Sequence, residues 1–109
     1  MKLPIEKHED DRRTLIEWVK DFPIRTCKVL VMKKDGELGN HYHRRKVDIF
    51  YLLRGSGEYK IGKDDWQEFN EGDCLMAEIF KPHSFKLKKD SILLEASSKS
   101  FDPKDEIKL

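Results

Sequence analysis

Two histidines one residue apart, His41 and His43, stand in the run GNHYHRRKVDIFYLLRG from Gly39 to Gly55. Alternate side chains of a strand project from the same face with their Cα atoms about 7 Å apart. Two imidazoles so placed can share one ion. Zinc, iron, manganese and nickel accept imidazole nitrogen, zinc at about 2.0 to 2.1 Å, and such a site needs at least one more protein ligand from elsewhere in the fold. Two residues qualify: Asp48, which opens the strand after the Arg44-Arg45-Lys46 turn, and His83, which follows Pro82 at the start of a later strand. The expected metal ligands are therefore His41, His43 and His83, with Asp48 as a fourth candidate that is one methylene short. The same imidazoles suit proton transfer, which makes His41 and His43 the candidate catalytic bases. His8 has no such companions and reads as a solvated side chain.

These residues need strands to hold them. From Arg25 onward the chain alternates short apolar runs with turn signals: RTCKVLVM, VDIFYLLR, GEYKI, CLMA, HSFKL and SILLEA, separated by KKDGE, RGSG, IGKDD, NEGD and KKDS. Gly, Asp, Asn and Ser at the breaks let the chain reverse, and a spacing of about ten residues suits antiparallel hairpins in an all-β sandwich or barrel. Residues sharing the parity of Asp48 are Phe50 and Leu52, so an inward carboxylate would stand above an apolar interior of lower dielectric. Ile49 and Tyr51, of the opposite parity, read as packing between sheets or subunits, and Trp18, Trp66 and Phe69 as core or interface. The segment Arg13 to Lys20 fits a short helix or an irregular strand. No repeat or linker divides the chain, so the reading is one domain: an arm over residues 1–24, a barrel over 25–98 and a tail over 99–109. The tail, FDPKDEIKL, is charged, holds a proline, and is expected on the surface or on a neighbouring subunit.

A chain of 109 residues suffices for one hydrophobic core. Lys and Arg number 22 against 21 Asp and Glu, a formal net charge of +1. No global field recruits nucleic acid or an anionic membrane. The N-terminus lacks the apolar stretch of a signal peptide, and no segment approaches the roughly 20 apolar residues of a membrane span. A cytoplasmic protein is the expectation. Cys27 and Cys74 show no CxxC spacing and read as reduced thiols.

At these residues the chain resembles the cupin superfamily. The family's first motif is matched by His41-Tyr42-His43, four residues, Asp48, six residues and Gly55, with Asp48 standing where Glu is usual. The second is matched by Gly72-Asp73-Cys74-Leu75-Met76 followed by Pro82-His83-Ser84-Phe85. The resemblance implies a single-domain antiparallel β-barrel, or jelly roll of two packed sheets, with the histidines in its mouth and a divalent metal ion as cofactor. DDRRTLIEW, GNHYHRRK and FYLLRG look like the small cupins of sugar biosynthesis, among them deoxysugar epimerases and ketoisomerases, whose chemistry removes a proton beside a ketone with a histidine base and no metal. Leu38-Gly39 stands where those epimerases carry Arg-Gly. Three uses remain open on this reading: a metal-dependent oxygenase or isomerase, a metal-independent nucleotide-sugar epimerase or ketoisomerase, and a binding module without catalysis. Arg44, Arg45, Phe50 and Glu78 are the candidate contacts to a small-molecule substrate, although a solvated turn is the plainer reading of Arg44-Arg45-Lys46. Exposed strand edges favour a homodimer.

Overall fold

The computed structural model describes residues 1–109. It is all-β, with twelve strands: β1 (Lys2–Leu3), β2 (Glu6–Glu9), β3 (Thr14–Glu17), β4 (Thr26–Val31), β5 (Gly36–His43), β6 (Asp48–Arg54), β7 (Ser56–Ile61), β8 (Gln67–Asn70), β9 (Cys74–Ala77), β10 (His83–Leu87), β11 (Ile92–Ser97) and β12 (Glu106–Lys108). One five-stranded sheet has the order β1-β9-β6-β11-β4 and the other β12-β5-β10-β7-β8, every pairing antiparallel. They pack face to face as a jelly roll and are not hydrogen-bonded into a closed barrel, so of the two expected forms the sandwich is the one observed. No helix is long and apolar enough to cross a membrane.

The core lies between the sheets. Phe50, Leu52, Leu75, Ala77 and Leu93 from the first meet Tyr59, Ile61, Phe69, Phe85 and Leu87 from the second, and Phe69, Leu52 and Leu75 are fully buried. Phe69 packs on Tyr59 and Phe85, with ring centroids 5.6 and 5.7 Å apart. Strand β6 breaks the simple alternation because both of its faces are covered. Phe50 and Leu52 enter the core, whereas Ile49 and Tyr51 lie under the N-terminal segment, where Ile5, Ile16, Trp18, Val19 and Phe22 pack and Trp18 stacks on Tyr51.

The segment that fitted helix or strand is strand β3, paired with β2 in a separate hairpin. Its turn is built by Asp10, whose carboxylate accepts from the backbone N–H of Arg12 and Arg13. The two ends of the chain also differ from expectation. Strand β1 joins β9, and β12 does not leave the body: it pairs with β5, setting Glu106 opposite His43 and Lys108 opposite His41. Apolar Ile107 between charged neighbours gives the tail the two-residue period of an edge strand.

Candidate active site

Strands β5 and β10 bring the histidines together. His83 opens β10 opposite His41 on β5, but Ser84 pairs with Gly39, so Asn40 is an extra, bulged residue. Gly39 and Asn40 have φ of +89° and +63°, and any side chain on Gly39 would press against the carbonyl of His83. Glycine there lets β5 approach β10 and re-aims His41, as bulges beside sites commonly do. His41 and His83 have ring centroids 4.6 Å apart, His41 and His43 4.9 Å, and His43 and His83 5.5 Å.

His43 and His83 are buried, and His41 is less so, its side chain 20% exposed. Behind them stand carboxylates. His41 Nδ1 lies 2.9 Å from Glu106 Oε1, an ion-pair contact that favours a proton on Nδ1 and leaves Nε2 bare. His43 Nδ1 points at Asp105 Oδ2 across 3.9 Å, too far for a hydrogen bond, and neither it nor His83 Nδ1 has a partner. Burial, then the charge of Lys46 and the neighbouring His41, hold His43 down at about 4. Burial, then His41 and His43, push His83 down to about 3, with only a backbone contact to Lys81 working in the other direction. Both rings are therefore neutral near pH 7.

Asp48 stands at the edge of the histidine cluster, held by Ser97 and Lys46. Ser97 Oγ donates to Asp48 Oδ1 at 2.6 Å, Lys46 Nζ stands 3.4 Å from that oxygen, and Oδ2 is 3.6 Å from His43 Nε2. Burial raises its carboxyl, against the pull of Ser97 and Lys46. Lys46 belongs to no solvated turn: it is 3% exposed and also lies 3.6 Å from Glu95. Arg44 and Arg45 are exposed and make no salt bridge. Phe50 lines a cavity of about 190 Å³ with His41, His83, Phe85, Leu38 and Glu95, as its place on β6 suggested. Glu78 faces a different recess, beside Met1, Asp64 and Lys81.

The donor set fits a divalent ion in type. Nitrogens bound to one tetrahedral ion at ~2.1 Å stand ~3.4 Å apart, and here one donor atom from each of His41, His43 and His83 lies within 4.8 Å of the others. Neutral rings with unpartnered nitrogens, backed by carboxylates, suit metal ligation. The Lys46 ammonium, held beside Asp48 and His43, opposes a second cation.

Residues 28–95 match the family model of the cupin domain. The chain is a cupin. No match is found among curated protein sequences. Solved structures similar to this cupin include WlaRA, a TDP-fucose-3,4-ketoisomerase from Campylobacter jejuni, at 23% identity and TM-score 0.83, the match covering 98% of this chain and 87% of that one. A 3,4-ketoisomerase from Helicobacter canadensis matches at 17% identity and TM-score 0.86, over 100% and 90% of the two chains. The rmlC epimerase of Mycobacterium tuberculosis matches at 15% and 0.85, over 99% and 67%. At such identities the likeness is one of fold.

Spacing in this cupin revealed the three histidines but not their supports. Glu106 and Asp105 lie in a tail that sequence reading left without chemistry, and its only signal was the alternation around Ile107. Glu95 and the burial of Lys46 were missed as well, since neither follows from local pattern.

Proposed function

We propose that this cupin is an isomerase of keto sugars carried on a nucleoside diphosphate, with His41 as the base that removes a proton beside the ketone. The observation that carries the reading is the His41–Glu106 pair at the rim of the cavity. A carboxylate behind Nδ1 fixes the tautomer, leaves Nε2 free to accept a proton, and stabilises the imidazolium that results. His43 and His83 sit lower and are too weakly basic to accept a proton readily near pH 7. Both remain neutral, and His83, which lines the cavity with His41, offers one N–H that suits it to bind the oxygen of the enolate. The C–H electron pair becomes the enediolate double bond and the carbonyl pair moves to oxygen; the imidazolium then returns its proton on the same face to the former carbonyl carbon, while the proton of the adjacent hydroxyl passes to the enolate oxygen, which completes migration of the ketone.

The size of the cavity is consistent with this use. About 190 Å³ is below the ~300 Å³ at which pockets for drug-sized ligands begin, so a single sugar ring would enter and the nucleotide would lie outside. Arg44 and Arg45, exposed and unpaired beside His43, are the side chains for a diphosphate there. Phe50 and Phe85 would give the ring its apolar floor. The ketoisomerases and the epimerase that share the fold make this substrate class the natural one to try.

A second reading rests on the three converging nitrogens: His41, His43 and His83 would hold a divalent ion, which would polarise a bound carbonyl. The two readings separate in one experiment. Protein freed of metal by chelation and untreated protein are each incubated in D2O with a dTDP-4-keto sugar, alongside elemental analysis. Deuterium uptake undiminished by chelation supports the first reading. Uptake that is lost on chelation and restored by one added metal supports the second, and no uptake by folded protein in any form refutes both.

A further inference from the structure

Migration of the ketone requires two proton transfers, and His41 performs one of them. The second proton must leave the hydroxyl beside the ketone and reach the enolate oxygen. Of the 9 residues that line the cavity, only His41, His83 and Glu95 bear titratable side chains. His41 holds the carbon-bound proton at that moment. His83 is a neutral ring whose N–H binds the enolate oxygen, and giving that proton up would leave an imidazolate anion. Glu95 is the group without a task.

Its position follows from the two-residue period of β11. Leu93, Glu95 and Ser97 share one face, the face that Leu93 buries in the core, so a carboxylate stands where the pattern calls for an apolar side chain. Register sets Glu95 between Phe50 on β6 and Lys28 on β4. It therefore belongs to the wall of the cavity formed by the first sheet, facing His41 and His83 on the second. Its side chain is only 12% exposed.

Three neighbours converge on one of its oxygens. Ser97 Oγ stands 3.2 Å, Lys46 Nζ 3.6 Å and Lys28 Nζ 3.8 Å from Oε2. Oε1 takes part in none of these contacts. Anchoring at Oε2 fixes the carboxylate before a substrate arrives and leaves Oε1 for the cavity, the arrangement expected of a group that must meet a substrate in one orientation.

We infer, resting on the reading of His41 as the base, that Glu95 is a second catalytic residue, which moves the hydroxyl proton. Oε1 takes the proton from the hydroxyl oxygen and gives the same proton to the enolate oxygen. One O–H bond breaks, another forms, and Glu95 ends as it began. The negative charge passes to the former hydroxyl oxygen, whose electron pair becomes the new carbonyl as the double-bond pair takes the proton from the His41 imidazolium. The substrate is narrowed accordingly to a ketone whose neighbouring carbon bears both the hydrogen that His41 removes and a free hydroxyl.

The test incubates wild type and Glu95→Gln in D2O with a dTDP-4-keto sugar. Deuterium beside the ketone, read by mass, reports the step of His41 alone; the position of the ketone, read by carbon-13 NMR, reports both steps. Wild type is expected to do both. Glu95→Gln is expected to keep its exchange while ketone migration slows about 100-fold or more, the contribution of a positioned acid–base group. Glu95→Asp keeps the charge beside Lys46 and Lys28 but withdraws the oxygen by one methylene; it should show the same split, and it decides the matter if Glu95→Gln fails to fold. Exchange and migration lost in equal measure in a folded variant, or migration at the wild-type rate in Glu95→Gln, overturns the inference and leaves the role of His41 standing. Wild-type exchange without migration likewise overturns this inference alone, whereas wild-type protein that exchanges no deuterium overturns both.

Discussion

Glu106→Gln tests the pair on which the proposed chemistry depends. The substitution keeps the length and shape of the side chain and removes its charge. In the wild type a carboxylate oxygen stands 2.9 Å from His41 Nδ1, with the two side chains only 20% and 15% exposed, so water screens the contact less than it would at a surface. Hydrogen bonds to charged groups in such settings contribute about 1.5–3 kcal/mol. The interaction is strongest when His41 is an imidazolium, so most of that energy belongs to proton transfer and not to binding. At about 1.36 kcal/mol per tenfold in rate, kcat should fall about 10- to 150-fold with KM little changed. Nitrogen-15 NMR gives a readout that needs no substrate. Wild-type His41 should be protonated at Nδ1 alone, and the variant, whose amide can donate as well as accept, should show a mixture of tautomers. A variant with wild-type kcat, or a wild-type His41 that carries its proton on Nε2, would refute the reasoning.

Other outcomes follow from the same structure. Because His43 and His83 titrate at about 4 and 3 when folded and near 6.5 when unfolded, the unfolded chain binds more protons between those limits. Their contribution to stability is whole above about pH 6.5 and is lost as pH falls toward 3; urea midpoints across pH 7 to 4 should decline, and His83→Gln should flatten that decline. Asp48, raised by burial, acts in the opposite sense, and Asp48→Asn should steepen it. Gly55 has φ of +101° and a Cβ there would collide with Ser91, so Gly55→Ala should cost at least about 2 kcal/mol by thermal unfolding. Phe69→Ala, at a fully buried aromatic, should cost about 3–5 kcal/mol and lower Tm by at least about 12 °C.

What could be read from the sequence was whatever a local period carries. His41 and His43 share a face because strands repeat every two residues, and the apolar parity of Phe50 and Leu52 put the core beneath them. His83 came from its place in a second motif. The supports depend on register between distant strands, which no local period records. Glu106 reaches His41 across 65 residues of chain through a strand only three residues long. Lys46 sits in a turn whose two preceding arginines are exposed, and it is buried because Asp48 and Glu95 pair with it; a lysine is rarely buried without such partners. Closure of the barrel was not legible either, since strand patterns are the same for a closed barrel and an open sandwich.

The most direct measurement of the central claim is the mass of a dTDP-4-keto sugar recovered from D2O after incubation with metal-free wild-type protein and with His41→Asn. The account predicts a gain of deuterium beside the ketone with wild type, and its reduction to the buffer rate in a variant whose circular dichroism is unchanged. Exchange that persists undiminished in His41→Asn, or that needs an added metal ion in the wild type, would contradict it.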